Sequence, residues 1–305
     1  MPEGERPAIE IRQLTRKFGS FTAVDHITLS VLRGGIFGLL GSNGAGKSTL
    51  VKMLTTLLPS SEGDAFVDGV SIVSASAKVR SRIGYVPQML SADGMLTGRE
   101  NLLFSARLYA VTASERVGRI NDALHFMGLD DSADKLVKTY SGGMIRRLEL
   151  AQAMLHRPAV LFLDEPTIGL DPLARHAVWE RLRSMRKDFN MTVLLTTHDM
   201  EEAESLCDVL EILHAGQLAV SGTPADLCTS MSPKATLDDV FAHYCVRHDC
   251  ARRRVRRNAR CARARPAHGL AGSPTRQHVH GHQQVRYQDH CRSRCGVAQV
   301  NARPD

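Results

Sequence analysis

Apolar residues recur with two periods along the chain, and these periods predict alternating strands and helices. Alternation at every second position predicts half-buried strands at residues 8–14 and 26–31. Unbroken apolar runs at residues 36–40, 160–163 and 192–196 are typical of strands that are buried on both faces of a sheet. The pattern therefore predicts an α/β fold in which an antiparallel β patch precedes a buried central sheet.

Segments with apolar residues at helical spacing lie between these strands and after them. It predicts helices at residues 48–57, 145–156, 173–190 and 236–244. Residues 97–136 are helical in character and contain no predicted strand. We therefore expect this stretch to be an inserted helical subdomain.

A glycine-rich segment directly follows the first buried strand and fits the phosphate-loop pattern G-x-x-x-x-G-K-[S/T]. Its glycines allow successive backbone N–H groups to point at phosphate oxygens, and the following helix turns its positive N-terminus toward the bound anion. A chance glycine-rich turn is the weaker alternative. The candidate nucleotide-binding residues are Gly41, Ser42, Asn43, Gly44, Ala45, Gly46, Lys47, Ser48 and Thr49.

Two adjacent carboxylates follow the apolar run at residues 160–163. Their position at the end of a buried strand is costly unless they have a function. Asp164 is placed to hold Mg²⁺ through water, with Ser48 as the second protein ligand. Because successive strand residues point in opposite directions, we expect Glu165 to point away from Asp164 and to orient or deprotonate an attacking water. A solvent-facing acidic turn is the alternative.

Other polar and aromatic residues stand beside the same predicted elements. Gln88 and His198 follow strand ends, where they could reach a metal, a nucleotide or a γ-phosphate, although each taken alone is more often a surface residue. Phe18 is either a core residue or a stacking platform for adenine. Ser141 is a good N-cap for a helix whose two preceding glycines would leave free N–H groups for a phosphate, and the simpler interpretation is a flexible helix start.

The net charge and the frequency of cysteine both change along the chain at about residue 244. Residues 241–305 hold fourteen Arg, no Lys and three Asp, which leaves residues 1–240 with a net charge of −4 within a total of +7. The body therefore gives no reason to expect nucleic acid as a partner. The chain has no apolar run of 18 residues and no signal-peptide pattern at its charged N-terminus, so we expect a cytosolic protein that does not itself span a membrane.

The Arg-rich tail at residues 245–305 has almost no apolar periodicity, and we expect it to be disordered. The run at residues 252–257 could bind an anionic membrane or nucleic acid. The Cys and His residues of the tail could also be imagined as zinc ligands, but their spacing fits no established zinc pattern well. Our preferred hypothesis is that the tail arises from a shifted reading frame in GC-rich DNA.

Taken in order, these elements closely resemble the ATP-binding subunit of ABC transporters over about residues 8–244. The signature departs from Leu-Ser-Gly-Gly-Gln at its first and last positions, and with the flanking residues 96–102 and 146–149 it is similar to the antibiotic-resistance branch that exports daunorubicin-like drugs. Phe18 stands where that family places its adenine-stacking aromatic residue. Six motifs carry the resemblance: Gly41–Ser48 resembles Walker A, Gln88 the Q-loop glutamine, Tyr140–Met144 the signature, Val160–Glu165 Walker B, Gly169–Asp171 the D-loop and His198 the switch histidine.

The resemblance implies an ABC-type P-loop ATPase at residues 1–244, with a mixed central sheet, an antiparallel β subdomain and a helical signature subdomain at about residues 97–156. It implies ATP and Mg²⁺ as cofactors. It assigns catalytic roles to Glu165, His198 and Gln88, and contacts with the metal to Ser48, Gln88 and Asp164.

The resemblance also implies a two-fold pair of nucleotide-binding subunits, because the signature and the D-loop complete the ATP site of a second copy. The residues concerned are Ser141, Gly142, Gly143 and Asp171. The transport path would belong to a separate transmembrane permease, with this chain on the cytoplasmic face of the cell membrane and drugs, antibiotics or lipids as cargo.

The main alternative is a soluble ABC ATPase that acts in translation or DNA repair. Those relatives usually carry two cassettes or a long coiled coil between the motifs, and this sequence has neither. A P-loop kinase or GTPase would lack the signature. The sequence therefore favours the transporter subunit.

Overall fold

The computed structural model describes residues 6–245. The predictions about the tail fall on residues outside this range, apart from Cys245, which is helical. The strands are β1 (Ile9–Phe18), β2 (Phe21–Val31), β3 (Ile36–Leu40), β4 (Glu62–Val67), β5 (Val70–Ser71), β6 (Ile83–Val86), β7 (Val160–Asp164), β8 (Thr192–Thr197), β9 (Val209–His214) and β10 (Gln217–Gly222). The helices are α1 (Lys47–Leu54), α2 (Ser76–Arg80), α3 (Gly98–Leu108), α4 (Ala113–Met127), α5 (Gly142–Met154), α6 (Pro172–Phe189), α7 (Met200–Leu206) and α8 (Pro224–Met231), and residues 237–245 are also helical.

The strands form the two predicted sheets. The antiparallel sheet has the order β2-β1-β4-β5, so it takes strands from both sides of the phosphate loop. The central sheet has the order β10-β9-β3-β8-β7-β6 and is parallel except for the β9–β10 pair. This mixed sheet confirms the predicted fold class. The carboxyl ends of its parallel strands meet at one edge, which collects the candidate site residues from distant parts of the chain.

Apolar residues cover the central sheet on both faces. In β3, Ile36 and Leu40 belong to a core cluster shared with α3, α4, α5 and α6, whereas Phe37 and Leu39 belong to a second cluster shared with α1 and the antiparallel sheet. Every residue of β3, β7 and β8 is buried. The unbroken apolar runs of the sequence follow from this double burial, because neither face of these strands contacts water.

The helical stretch between the strands consists of α3, α4 and α5, with single turns of 3₁₀ helix between α4 and α5. The N-terminus of α3 is fixed by a capping box, in which Thr97 and Glu100 bond each other's backbone N–H groups. Helix α5 begins at Gly142 and not at Ile145 as predicted, because Ser141 caps it by accepting from the backbone N–H of Met144. Both glycines therefore lie in its first turn.

Short elements and hairpin ends differ from the prediction. β1 extends to Phe18 and β2 begins at Phe21, so only Gly19 and Ser20 form the turn. The helices α2, α7 and α8 are five to eight residues long and escape a periodicity analysis that needs three or more turns. Over residues 6–245, no helix combines the length and the apolar character that crossing a membrane requires.

Candidate nucleotide site

The glycine-rich loop connects β3 to α1 at the carboxyl edge of the central sheet, where the sequence predicts a phosphate-binding loop. Gly46 precedes α1 with a φ of +109°, and a Cβ at this position would lie 2.5 Å from the carbonyl oxygen of Ala23 on β2. Gly41 does not line the pocket itself, since its place is under the loop, where a Cβ would lie 2.6 Å from the carbonyl oxygen of Leu213. Glycines therefore let the loop curl tightly against both sheets.

Lys47 is folded into its own loop and is almost fully buried, with 4% of its surface exposed. Its Nζ donates to the carbonyl oxygen of Gly41 at 2.7 Å and to that of Ser42 at 3.3 Å, and it lies 3.2 Å from Oε1 of Glu165. The ammonium group thus faces the concave side of the loop, where a phosphate oxygen is a suitable partner.

An open pocket of about 440 Å³ lies over the loop. One end is aromatic: Phe18 is 45% exposed, and the guanidinium carbon of Arg16 lies 4.6 Å from its ring centre. Phe21, across the hairpin turn, lines the same pocket and was not predicted as a site residue. The remaining lining is residues 42–49, Ala23, Gln88 and Glu165. A nucleotide fits this division, because rings stack an adenine face at one end and backbone N–H groups bind phosphates at the other.

Asp164 lies beside the start of α1 as predicted. Its Oδ1 accepts from the hydroxyl of Ser48 at 3.0 Å and from that of Thr196 at 2.6 Å. Oxygen ligands of this kind suit Mg²⁺, which commonly binds through one or two protein oxygens together with substrate phosphates. Within residues 6–245, no group of three His, Cys, Asp or Glu side chains is arranged to hold a metal ion.

Glu165, like Asp164, contacts a residue at the start of α1. The strand ends at Asp164, and Glu165 takes a φ of +49°, so strand alternation does not apply to it. Its carboxylate contacts Lys47, Nε2 of Gln88 at 3.2 Å and Nδ1 of His198 at 3.3 Å. The three candidate catalytic residues from separate strand ends therefore meet at one carboxylate.

Thr196 bonds to both Asp164 and Glu165, and the sequence analysis did not identify it as a site residue. Its hydroxyl donates to Asp164 and accepts from the backbone N–H of Glu165 at 3.0 Å. The available signal was a hydroxyl residue at the end of an apolar strand. The charge of Asp164 also acts on Tyr85, on β6. Burial raises the pKa of the Tyr85 hydroxyl to about 12, with the charge of Asp164 as the second cause, so the hydroxyl stays protonated.

The signature and D-loop residues lie outside the pocket lining. Asp171 caps α6 by accepting from the backbone N–H of Ala174 at 2.9 Å. A Cβ on Gly143 would lie 2.8 Å from the Cβ of Ala174, and one on Gly142 would lie 3.4 Å from Leu170, so the start of α5 packs on the start of α6. The structure groups Ser141, Gly142, Gly143 and Asp171 with one another and not with the phosphate loop.

Comparison with known proteins places this site in a family. The family model described as ABC transporter matches residues 24–168. The linearmycin resistance ATP-binding protein LnrL of Bacillus subtilis (strain 168) is 38% identical over 223 residues, which cover 73% of this chain and 71% of the relative. The Nod factor export ATP-binding protein I of Rhizobium meliloti (strain 1021) is 44% identical over 223 residues, which cover 72% and 66%. A solved structure of the ATP-binding subunit of an ABC transporter shares 29% identity at a TM-score of 0.70, over 78% of this chain and 99% of that one.

The fold and the site define a P-loop ATPase with an inserted helical signature region. The chain belongs to the ABC transporter family, as an ATP-binding subunit. Membership of this family confirms the predicted ATPase activity and nucleotide binding. The names of the relatives, which refer to resistance and export, fit the exporter prediction and not the soluble alternative. The chain spans 66% of the length of the Nod factor relative and 71% of that of the linearmycin relative.

Proposed function

We propose that this chain binds ATP with Mg²⁺ and hydrolyses it to drive a membrane exporter of drugs, antibiotics or lipids. One observation carries the proposal: the carboxylate of Glu165 contacts Lys47, Gln88 and His198 together, next to the Ser48–Asp164 pair. A base, a phosphate-binding cation and a metal-binding oxygen pair are the groups that ATP hydrolysis requires at one point.

In this proposal, Phe18 stacks the adenine and the backbone N–H groups of residues 42–49 bind the phosphates. Ser48, Asp164 and Gln88 would hold a magnesium ion, which would supply positive charge to neutralise the phosphates in the transition state. Lys47 exchanges its contact with Glu165 for a phosphate oxygen when ATP enters. Nucleotide binding thereby frees the carboxylate for its role in hydrolysis.

Glu165 then orients or deprotonates the attacking water, and His198 and Gln88 fix its carboxylate. The positive φ of Glu165 turns its side chain toward the loop, and its backbone N–H is held by Thr196. A general base must lie within hydrogen-bond reach of the water, so this backbone conformation supports the assignment.

We further propose that two copies act head to tail. Ser141, Gly142 and Gly143 present the first turn of α5, whose N–H groups suit an anion, and they lie apart from the pocket of their own chain. Together with Asp171 they would complete the ATP site of a paired subunit. A separate transmembrane permease carries the cargo, and this chain acts at the cytoplasmic face of the membrane. The names of the two relatives support that assignment, since both describe ATP-binding components of resistance or export.

Glu165→Gln tests the hydrolytic role. The variant should bind ATP, accumulate as an ATP-bound dimer in size-exclusion chromatography, and lose about 10²–10⁴-fold in turnover, the range for loss of a general base. Glu10→Gln changes a partly exposed glutamate on β1 that accepts from Arg12, and it should retain parental turnover. Turnover of Glu165→Gln within about threefold of the parent, a factor that corresponds to less than 1 kcal/mol, would rule out the assignment.

Export is tested in cells that express this chain together with its membrane partner. Accumulation of a fluorescent daunorubicin-like drug should be lower with the parent chain than with Glu165→Gln. Equal accumulation for drugs, amphipathic antibiotics and labelled lipids would contradict the exporter proposal, while the ATPase result would still stand.

A further inference from the structure

A buried ion pair on α5 contacts the segment that carries Gln88 and has no part in the proposed function. Nη1 of Arg146 lies 2.9 Å from Oε2 of Glu149, one helical turn further on. The two residues are only 1% and 3% exposed. Burying two charges is costly even when they are paired, and an apolar pair of similar volume is often as stable. The pair is therefore better explained by the other groups that the two side chains hold.

Both side chains bond to the backbone of the segment that carries Gln88. Arg146 donates from Nη1 to the carbonyl oxygen of Pro87 at 2.7 Å and from Nη2 to that of Gln88 at 2.8 Å. Oε1 of Glu149 accepts from the hydroxyl of Ser91 at 3.0 Å and from its backbone N–H. The pair therefore fixes residues 87–91 at both ends.

This segment lies outside the helices and strands, so regular structure does not position it. Between the two anchors, Met89 and Leu90 are 82% and 49% exposed, which leaves them little packing of their own. The amide of Gln88 nevertheless reaches Glu165 at 3.2 Å. The bond from Arg146 to the carbonyl of Gln88 acts on the same residue whose side chain makes this contact.

We propose that Arg146 and Glu149 form a clamp that positions Gln88 against Glu165 and links the signature helix to the hydrolysis site. The clamp rests on the proposed role of Gln88 in hydrolysis. Arg146 stands five residues after Ser141 on one continuous helix, so a movement of α5 when a second copy engages the signature is passed to Gln88. Both clamp residues are positioning residues, since neither lines the pocket.

Arg146→Met/Glu149→Met tests the clamp, because it replaces both charges together and leaves no uncompensated charge in the core. The variant should melt close to the parent while kcat falls about tenfold to a hundredfold, as expected when a group next to the reacting atoms is displaced. The KM for ATP should stay within about twofold, because the phosphate loop is unchanged. Hydrogen exchange of residues 87–91 should become faster, since the N–H of Ser91 loses its acceptor.

The matched control is Arg119→Met/Glu115→Met on α4. This is also an Arg–Glu ion pair, although more exposed, with Nη2 of Arg119 3.0 Å from Glu115 and Nη1 donating to the carbonyl oxygen of Leu155 at 3.1 Å, and none of these bonds involves residues 87–91. It should retain parental kcat and exchange. If the first double variant fails to fold, Arg146→Lys keeps the charge but removes the guanidinium fork that bonds two carbonyls, and it should show the same fall in kcat with KM retained.

Combination with Gln88→Ala separates a positioning role from a structural one. If the clamp acts through Gln88, Arg146→Met/Glu149→Met should lower the kcat of Gln88→Ala by no more than about twofold, since interacting residues are not additive. Losses that multiply, or a clamp variant with parental kcat, would overturn the inference. Gln88→Ala with parental turnover would overturn it as well, through the role of Gln88. A parent chain without ATPase activity would refute the proposed function instead, and the exchange of residues 87–91 would then decide the clamp by itself.

Discussion

Gly46→Ala is predicted to damage both the stability of the protein and the phosphate loop. Gly46 precedes α1 with φ +109° and ψ 0°, a conformation that residues with a Cβ rarely adopt. The added methyl carbon would lie 2.5 Å from the carbonyl oxygen of Ala23. This oxygen belongs to the backbone of β2; Ala23 lies at a bulge, but Thr22 and Val24 on either side of it are paired with β1 and limit its movement. The loop must move instead.

Two costs determine the expected magnitude. Holding a non-glycine residue at such a φ costs about 1–3 kcal/mol, and forcing an extra methyl group into a packed site costs about 1–3 kcal/mol more. Since about 1 kcal/mol shifts the melting temperature of a domain of 150–250 residues by roughly 2–4 °C, we expect a fall of at least about 4 °C. Displaced N–H groups should also weaken ATP binding by about tenfold or more, the equivalent of one lost charge-assisted hydrogen bond.

Two alanine variants isolate the clash with β2. Gly44→Ala has a φ of +81° but no atom within 4 Å of the new Cβ, so it pays only the conformational cost. Gly118→Ala lies on the exposed face of α4 with no atom within 4 Å, and it should gain about 0.5–1 kcal/mol. Melting without nucleotide and calorimetric titration with ATP measure all three. If Gly46→Ala melts within about 1 °C of Gly44→Ala, a difference well below 1 kcal/mol, the loop does not pack on Ala23 and the reasoning is wrong.

Two further predictions test the paired site and the tail. Mixing an inactive Lys47→Ala copy with an inactive Ser141→Arg copy should restore part of the ATPase activity, because one working loop then faces one working signature. If heterodimers form but the mixture stays inactive, the head-to-tail arrangement is contradicted or both sites must act together. Removing residues 249–305 should leave turnover and melting temperature unchanged and improve solubility, as the composition of the tail predicts; loss of more than half the activity, or melting several degrees lower, would show that the tail packs on the body.

The class of fold and most candidate site residues follow from signals in the sequence. Each of these signals is local: the glycine-rich loop lies between an apolar strand and a helix, and the polar residues stand directly after buried strands. Parallel strands bring their carboxyl ends to one edge, so the sequence pattern placed His198 on the edge that holds Asp164 and the phosphate loop, and the family resemblance added the role of Gln88. Ser141 was identified as an N-cap for the same reason, since capping depends on residues three positions apart.

The contacts between side chains depend on how distant segments of the chain pack together. Glu165 has a positive φ just after its strand ends, so strand alternation does not apply to its side chain, which contacts Lys47, Gln88 and His198. Phe21 entered the pocket because the hairpin turn has only two residues, which sets it opposite Phe18. The contacts of Arg146 with residues 87 and 88 join positions nearly sixty residues apart in the chain. Such contacts depend on how α5 packs against the central sheet, and no local pattern in the sequence records that packing.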